Sequence, residues 1–206
     1  MKKPHLLLLR FSALGDVAMT VPIIRCLYKS HSDLKITFVS RPYFEPLFKE
    51  FENFNFYPLD IEGRHKGVKG IWTLFLELKN TPFTAVADLH GVLRTYLLSF
   101  LFKTKFFKVK QINKGRIEKH LLTRKKNKKF QPLTPNIFRY IDVFRKLGFS
   151  INIEDHEFPH KNPVPINFLN LFNNSERKWI GIAPFASYSG KTYPLDLMQQ
   201  VIAYLQ

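Results

Sequence analysis

Four stretches carry residues whose types and spacing could do chemistry. The first is His5-Leu6-Leu7-Leu8-Leu9-Arg10-Phe11-Ser12-Ala13-Leu14-Gly15-Asp16-Val17, an apolar run that breaks at a small, polar turn and then resumes with helical spacing. Gly15 lets the backbone come close to a ligand, and Asp16 stands where a helix N-cap belongs. The second, Asp88-Leu89-His90-Gly91-Val92-Leu93-Arg94-Thr95, ends a short apolar run in a glycine turn. His90 there reads first as a structural residue and second as a catalyst, whereas Arg94 falls in the first turn of a helix and could address an anion together with the helix N-terminus. The third, Asp60-Ile61-Glu62-Gly63-Arg64-His65-Lys66-Gly67, is either an ordinary connection or a loop that turns Arg64, His65 and Lys66 toward an anion. The fourth runs from Trp179 to Pro194 and repeats the opening logic, an apolar run followed by a small-residue turn with Ser187, Lys191 and Thr192.

The elements that must position these residues follow from periodicity. The run 5–9 suits a central parallel strand buried on both faces. Val17, Val21, Ile24 and Leu27 recur at helical spacing, and Pro22 implies either a kink or a separate first turn. Further strands are predicted at 34–40, 54–59, 84–90 and 106–110, with helices at 43–51, 69–80, 92–102 and 136–147, the last stopped by Gly148. Residues 151–175 change to Asn, Pro, Glu and His and read as an interdomain connection with a short helix near 166–172. A strand at 179–183 and a helix at 195–205 then open a second domain. In an open α/β sheet, ligands gather outside the carboxyl ends of the strands, which is where the candidate turns lie.

Composition narrows the function classes. Cys26 is the one cysteine and falls in the apolar pattern of the first helix, so a disulfide framework is excluded and a reducing compartment follows. Arg10 cuts the opening apolar stretch too short for a signal peptide, and no run reaches the roughly 20 apolar residues of a membrane span. A cytoplasmic location is expected. The formal net charge of +16 calls for an anionic partner or neighbour. The excess is concentrated between Lys103 and Lys129, where Glu118 faces twelve lysines and arginines. That segment is either a solvated loop, a contact with an anionic membrane surface, or the interface of a nucleic-acid-binding protein. It lacks a recognition helix, a zinc site or an aromatic RNA-binding motif, so specific nucleic-acid binding stands as the alternative. A dinucleotide oxidoreductase is disfavoured because Ser12-Ala13-Leu14-Gly15-Asp16 lacks the G-x-G-x-x-G glycines.

Taken together, Arg10-Phe11-Ser12-Ala13-Leu14-Gly15-Asp16-Val17 with Val21-Pro22-Ile23-Ile24-Arg25, Asp88 to Thr95, and Ala183-Pro184-Phe185-Ala186-Ser187 with Lys191-Thr192-Tyr193-Pro194 resemble the bacterial ADP-heptose:lipopolysaccharide heptosyltransferases, glycosyltransferase family 9. The resemblance implies an α/β fold of GT-B type. An N-terminal Rossmann-like parallel-sheet domain, residues 1–150, would hold the acceptor, and a nucleotide-sugar-binding domain would begin at 176–206. This second domain stops after one β-α unit, so the chain is expected to be a truncated piece that is inactive by itself.

The resemblance also implies the chemistry: an inverting transfer of a heptose or related sugar from an ADP-heptose-like donor to a phosphorylated or acidic, lipid-linked glycan acceptor. No metal or cofactor is implied. Asp16 matches the proposed general base. Lys191, Ser187 and Thr192 match donor-phosphate positions, and Gly15, Arg94, His90 and Arg64 fall on the acceptor side. The enzyme would sit peripherally at the inner face of the cytoplasmic membrane, drawn there by the Lys103–Lys129 segment.

Overall fold

The computed structural model describes residues 3–158, 166–172, 179–186 and 188–205. The chain divides into two compact units, residues 1–159 and 160–206.

The first unit is built on a five-stranded, all-parallel sheet in the order β3-β2-β1-β4-β5. The strands are β1 (His5–Leu9), β2 (Lys35–Ser40), β3 (Phe54–Pro58), β4 (Ala85–Asp88) and β5 (Lys108–Gln111). β1 lies in the middle, and each of its five residues is buried, as its unbroken apolar run requires. Alternate side chains feed two cores. Leu6 and Leu8 join the cluster that holds Ile23, Ile24, Leu27, Tyr140, Phe144 and Leu147, while Leu7 and Leu9 join Ile71, Leu74, Phe75, Leu98 and Phe102 on the other face. The first face is covered by α2 (Thr20–Ser30) and α6 (Asn136–Leu147), the second by α3 (Gly67–Leu78) and α4 (Leu93–Thr104). Cys26 is buried on α2, as its place in the apolar pattern implies.

Pro22 is accommodated by a separate first turn. α1 (Leu14–Ala18) ends before α2 begins at Thr20, so Pro22 falls in the first turn of α2, where its missing N–H costs nothing. The helix predicted at 43–51 is instead a 3₁₀ segment, Pro42–Phe48, with Pro46 inside it. A proline at that position denies an α-helix its regular hydrogen-bond ladder. The basic segment holds a helix that periodicity did not predict, α5 (Arg116–Thr123), none of whose residues is buried. Residues 149–158 remain with the first unit, since Phe149, Ile151 and Ile153 pack on its core.

Within the second unit, α7 (Ile166–Phe172) and α8 (Leu195–Leu205) lie where periodicity puts them, joined by a 3₁₀ turn, Ser189–Lys191. The predicted strand at 179–183 does not form: residues 179–186 carry no regular structure. A strand exists through pairing with a neighbour, and among the described residues this unit has none to offer. No residue of α8 is buried.

Candidate functional site

Every strand of the first unit delivers a cation just past its carboxyl end. Arg10 follows β1, Arg41 follows β2, Arg64 lies in the loop after β3, Arg94 opens α4 after β4, and Lys114 and Arg116 follow β5. A parallel sheet makes this convergence unavoidable, because all its strands end at one edge. Among the acids at this edge, Asp16 lies in the first turn of α1, directly after the central strand.

Asp16 is not the N-cap. The cap residue is Ala13, which offers no side-chain hydrogen bond, and Asp16 is the third residue of α1. Its Oδ2 instead accepts a hydrogen bond from Nη2 of Arg10. The Arg10 side chain is only 6% exposed, whereas that of Asp16 is 31% exposed, so the carboxylate is anchored from below and open above. Arg10 also donates from Nη1 to the Leu89 carbonyl at 2.8 Å, and its guanidinium lies 5.8 Å from the Tyr140 ring centre. It thereby ties β1, the β4 end and α1 into one frame. A Cβ on Gly15 would meet nothing within 4 Å, so the space over this turn is open.

The β4 turn is built on Asp88. This fully buried carboxylate accepts the backbone N–H groups of His90 and Gly91, each at 2.9 Å. Burial raises its pKa, while those two hydrogen bonds act in the opposite sense. Gly91 sits at φ +59°, and a Cβ there would lie 3.0 Å from Ile112 Cγ2, so glycine is required. His90 packs edge-on to Phe11 at 5.6 Å, with Nδ1 buried and without a hydrogen-bond partner among the described residues. Burial, followed by the charges of Arg10, Lys114, Arg94 and Arg41, pushes its pKa down to about 3, so the ring is neutral. Lys114 is likewise shifted down, by burial and then by Arg10 and Arg116.

Lys114 and Arg116 are held in place by Arg139 of α6. Its guanidinium donates to Asn113 O at 3.0 Å, Thr134 O at 3.0 Å and Glu118 Oε2 at 2.6 Å, clasping the turn around Gly115. The basic segment is therefore not one solvated surface. Lys114 and Arg116 border the crevice, Lys108 donates to the Leu147 carbonyl at 2.7 Å, and Lys125, Lys126, Lys128 and Lys129 are exposed. Among the described residues, Arg41, Arg94, Lys114 and Arg116 form no ion pair with a carboxylate. A cleft of about 630 Å³ opens beside Arg94, lined by Ser12, His90 and Arg94 among its polar residues and by Val68, Ile71, Leu93 and Leu97 along its walls.

The loop after β3 departs from the anion-facing reading. Asp60 accepts the Gly63 and Arg64 N–H groups at 2.8 and 2.9 Å, and buried His65 takes the Asp60 N–H on Nδ1 and faces Glu77 with Nε2 at 3.1 Å. Arg64 pairs with the same Glu77, which also accepts the Tyr57 hydroxyl. Although burial opposes it, these partners hold the Glu77 carboxyl below its ordinary range. Arg64 and His65 thus brace α3 against the β3 loop.

In the second unit, the Lys191 ammonium lies 5.0 Å from the Tyr188 ring centre and Thr192 Oγ1 donates to the Tyr188 carbonyl at 3.4 Å. Ser187 lies outside the described residues. Among the described residues, no group of three or more His, Cys, Asp or Glu could hold a metal ion, and no helix is long and apolar enough to cross a membrane. Sequence reasoning overlooked Arg41, Lys114 and Arg116 as site residues. Their signal was position, a cation within a few residues of each strand's end.

No protein-family model matches the chain. A 101-residue stretch is 28% identical to the lipopolysaccharide core heptosyltransferase OpsX of Haemophilus influenzae, covering 49% of this chain and 28% of that protein. In fold, the chain matches a glycosyl transferase family 9 structure from Veillonella parvula over its whole length, with a TM-score of 0.72 and 19% identity, across 60% of that structure. It matches the E. coli heptosyltransferase WaaC with ADP over 98% of its length, with a TM-score of 0.58 and 15% identity, across 63% of that structure. The chain therefore spans less than two thirds of the relatives it matches. In sequence and in fold it is similar to the heptosyltransferases of glycosyltransferase family 9.

Proposed function

We propose that the protein, as an intact enzyme, transfers a heptose or related sugar from a nucleotide-sugar donor to a hydroxyl of an acidic, lipid-linked glycan, with inversion at the sugar carbon. The observation that carries this reading is the Asp16 carboxylate, anchored by buried Arg10 at the carboxyl end of the central strand, on the sheet edge that also carries Arg41, Arg94, Lys114 and Arg116. The acceptor hydroxyl gives its proton to Asp16, its oxygen bonds to the anomeric carbon, and the bond from that carbon to the diphosphate breaks. General-base assistance and charge stabilisation of the leaving diphosphate are the two requirements of such a step. Asp16 meets the first. Lys191, with Ser187 and Thr192, is assigned to the second.

Arg94, Lys114 and Arg116 suit the anionic groups of the acceptor, with Gly15 leaving room for its approach and neutral His90 lining the floor. Arg64, engaged with Glu77, is assigned to support of that edge. The WaaC structures, which hold ADP and ADP-2-deoxy-2-fluoro heptose, support a donor of this kind. Transfer of radiolabelled heptose from ADP-heptose to a lipid-linked acceptor tests the proposal directly. Hydrolysis-level incorporation into every acceptor offered, with the donor bound, would overturn it.

A further inference from the structure

The surface of the first unit is unusual on the side opposite α2 and α6. α3 and α4 bury one face each against the sheet, through Ile71, Leu74, Phe75 and Leu78 and through Leu98 and Phe102. Their outward faces, where polar residues belong, are apolar as well. On α3, Val68, Trp72 and Leu76 recur four residues apart and are all exposed, Trp72 by 51%. On α4, Leu93 and Phe100 are exposed by 86% and 61%, with partly exposed Leu97 between them on the same face. Exposed large apolar residues arranged as a contiguous patch mark an interaction surface.

Apart from Glu77, the charged residues on these two helices are basic. Lys69 and Lys79 flank the α3 stripe, and Arg94, Lys103 and Lys105 flank that of α4, all of them exposed or partly so. Glu77 is the one carboxylate on either helix, and it is occupied by Tyr57, His65 and Arg64. Val68, Leu93 and Leu97 also wall the cleft that Ser12, His90 and Arg94 line, so the patch runs continuously into the crevice. An apolar face with an aromatic residue at its centre and a lysine rim is what an interfacial element presents to anionic headgroups.

We propose that the exposed α3–α4 face docks the protein on an anionic lipid bilayer, with Trp72, Leu93 and Phe100 inserted among the headgroups and the crevice opening toward the surface. This assigns membrane contact to a mixed apolar and basic face in place of the lysine-rich stretch 125–129. It extends the proposed transfer to a lipid-linked acceptor but needs no turnover to test, so its failure would leave that reading standing.

The experiment uses the full chain carrying Trp179→Phe, which leaves Trp72 as its one tryptophan. Vesicles of phosphatidylcholine with about 30 mol % phosphatidylglycerol are added, with and without brominated acyl chains. The proposal expects a blue shift of the Trp72 emission, quenching by the brominated lipid, and binding that survives in part at salt levels that screen surface charge. The pair Leu93→Ser and Phe100→Ser should weaken partitioning roughly tenfold or more, since both side chains lose their insertion into the interface. Changing Lys125, Lys126, Lys128 and Lys129 to Gln should weaken it less. Binding without a Trp72 shift or bromine quenching, or binding abolished by the lysine variant and indifferent to the serine pair, would overturn the proposal. So would a blue shift that appears without vesicles as the chain self-associates with rising concentration, which would make the patch an interface between copies.

Discussion

The turn after β1 and the turn before α8 are written alike, an apolar run, small residues and then a helix, yet they come out differently. Leu6 to Leu9 are hydrogen-bonded to β2 on one side and β4 on the other, and the turn that follows is clamped by a buried arginine. Trp179 to Ile182 carry the same kind of residues without strand structure, and the side chains after them make local contacts such as Lys191 on Tyr188. An apolar run specifies burial, and neighbours decide whether burial takes the form of a strand. The catalytic precision proposed here accordingly resides in the first turn, and the second is assigned a binding role that one flexible lysine can fill.

Breaking the clamp should have the largest effect. Arg10→Met removes the donor to Asp16 and to the Leu89 carbonyl inside a closed framework, and should cost about 2–4 kcal/mol in urea unfolding of the full chain. A loss under about 0.5 kcal/mol would show that the first turn is no better anchored than the second. Gly91→Ala comes next, at about 1–3 kcal/mol, because alanine must adopt φ +59° against Ile112. The same readout checks it, and a neutral result would mean that the β4 turn rearranges freely.

Acid sensitivity should follow. His90 and His5 titrate at about 3 and about 4 when folded, below the 6.5 of an unperturbed ring. The unfolded chain therefore binds protons first as pH falls, and the stability these rings contribute is complete above 6.5 and drains between there and about 3. His90→Asn should flatten the decline of the urea midpoint between pH 7 and pH 4, and an unchanged slope would refute the assignment. The smallest effect on folding belongs to Lys191→Ala, within about 0.5 kcal/mol for an exposed residue. Its ADP affinity, measured by calorimetry in the intact enzyme, should nonetheless fall about tenfold with the loss of a charge-assisted contact. Unchanged affinity would remove Lys191 from the donor site.

Much of the fold was legible because its signals are local. The unbroken run of β1, the stripe Tyr140, Phe144 and Leu147 with Gly148 as stop, and the helices at 166–172 and 195–205 all appear where spacing puts them. The 3₁₀ segment at 42–48 and the helix α5 were less so: the first has an apolar pattern overridden by Pro46, and the second is a short helix with no buried face to betray it. At the site, the position of Asp16 and Arg94 just past a strand end was legible from the sequence. The partnership of Arg10 with Asp16 was not, because the turn reads equally well with Asp16 as a cap, and the Leu89 carbonyl that also holds Arg10 is distant in sequence. The loop of Arg64 and His65 left a plain connection and an anion-facing role both open, and the partner of both side chains, Glu77, lies more than ten residues away.

The central claim is that Asp16 takes the acceptor's proton. Asp16→Asn keeps an oxygen to accept from Arg10 and so preserves the clamp, while removing the ability to bind a proton at neutral pH. Measured in the intact enzyme with saturating donor and acceptor, kcat should fall by roughly 10²- to 10⁴-fold, with the urea midpoint nearly unmoved. A variant that keeps near-wild-type kcat would contradict the account and leave Asp16 as no more than Arg10's structural partner.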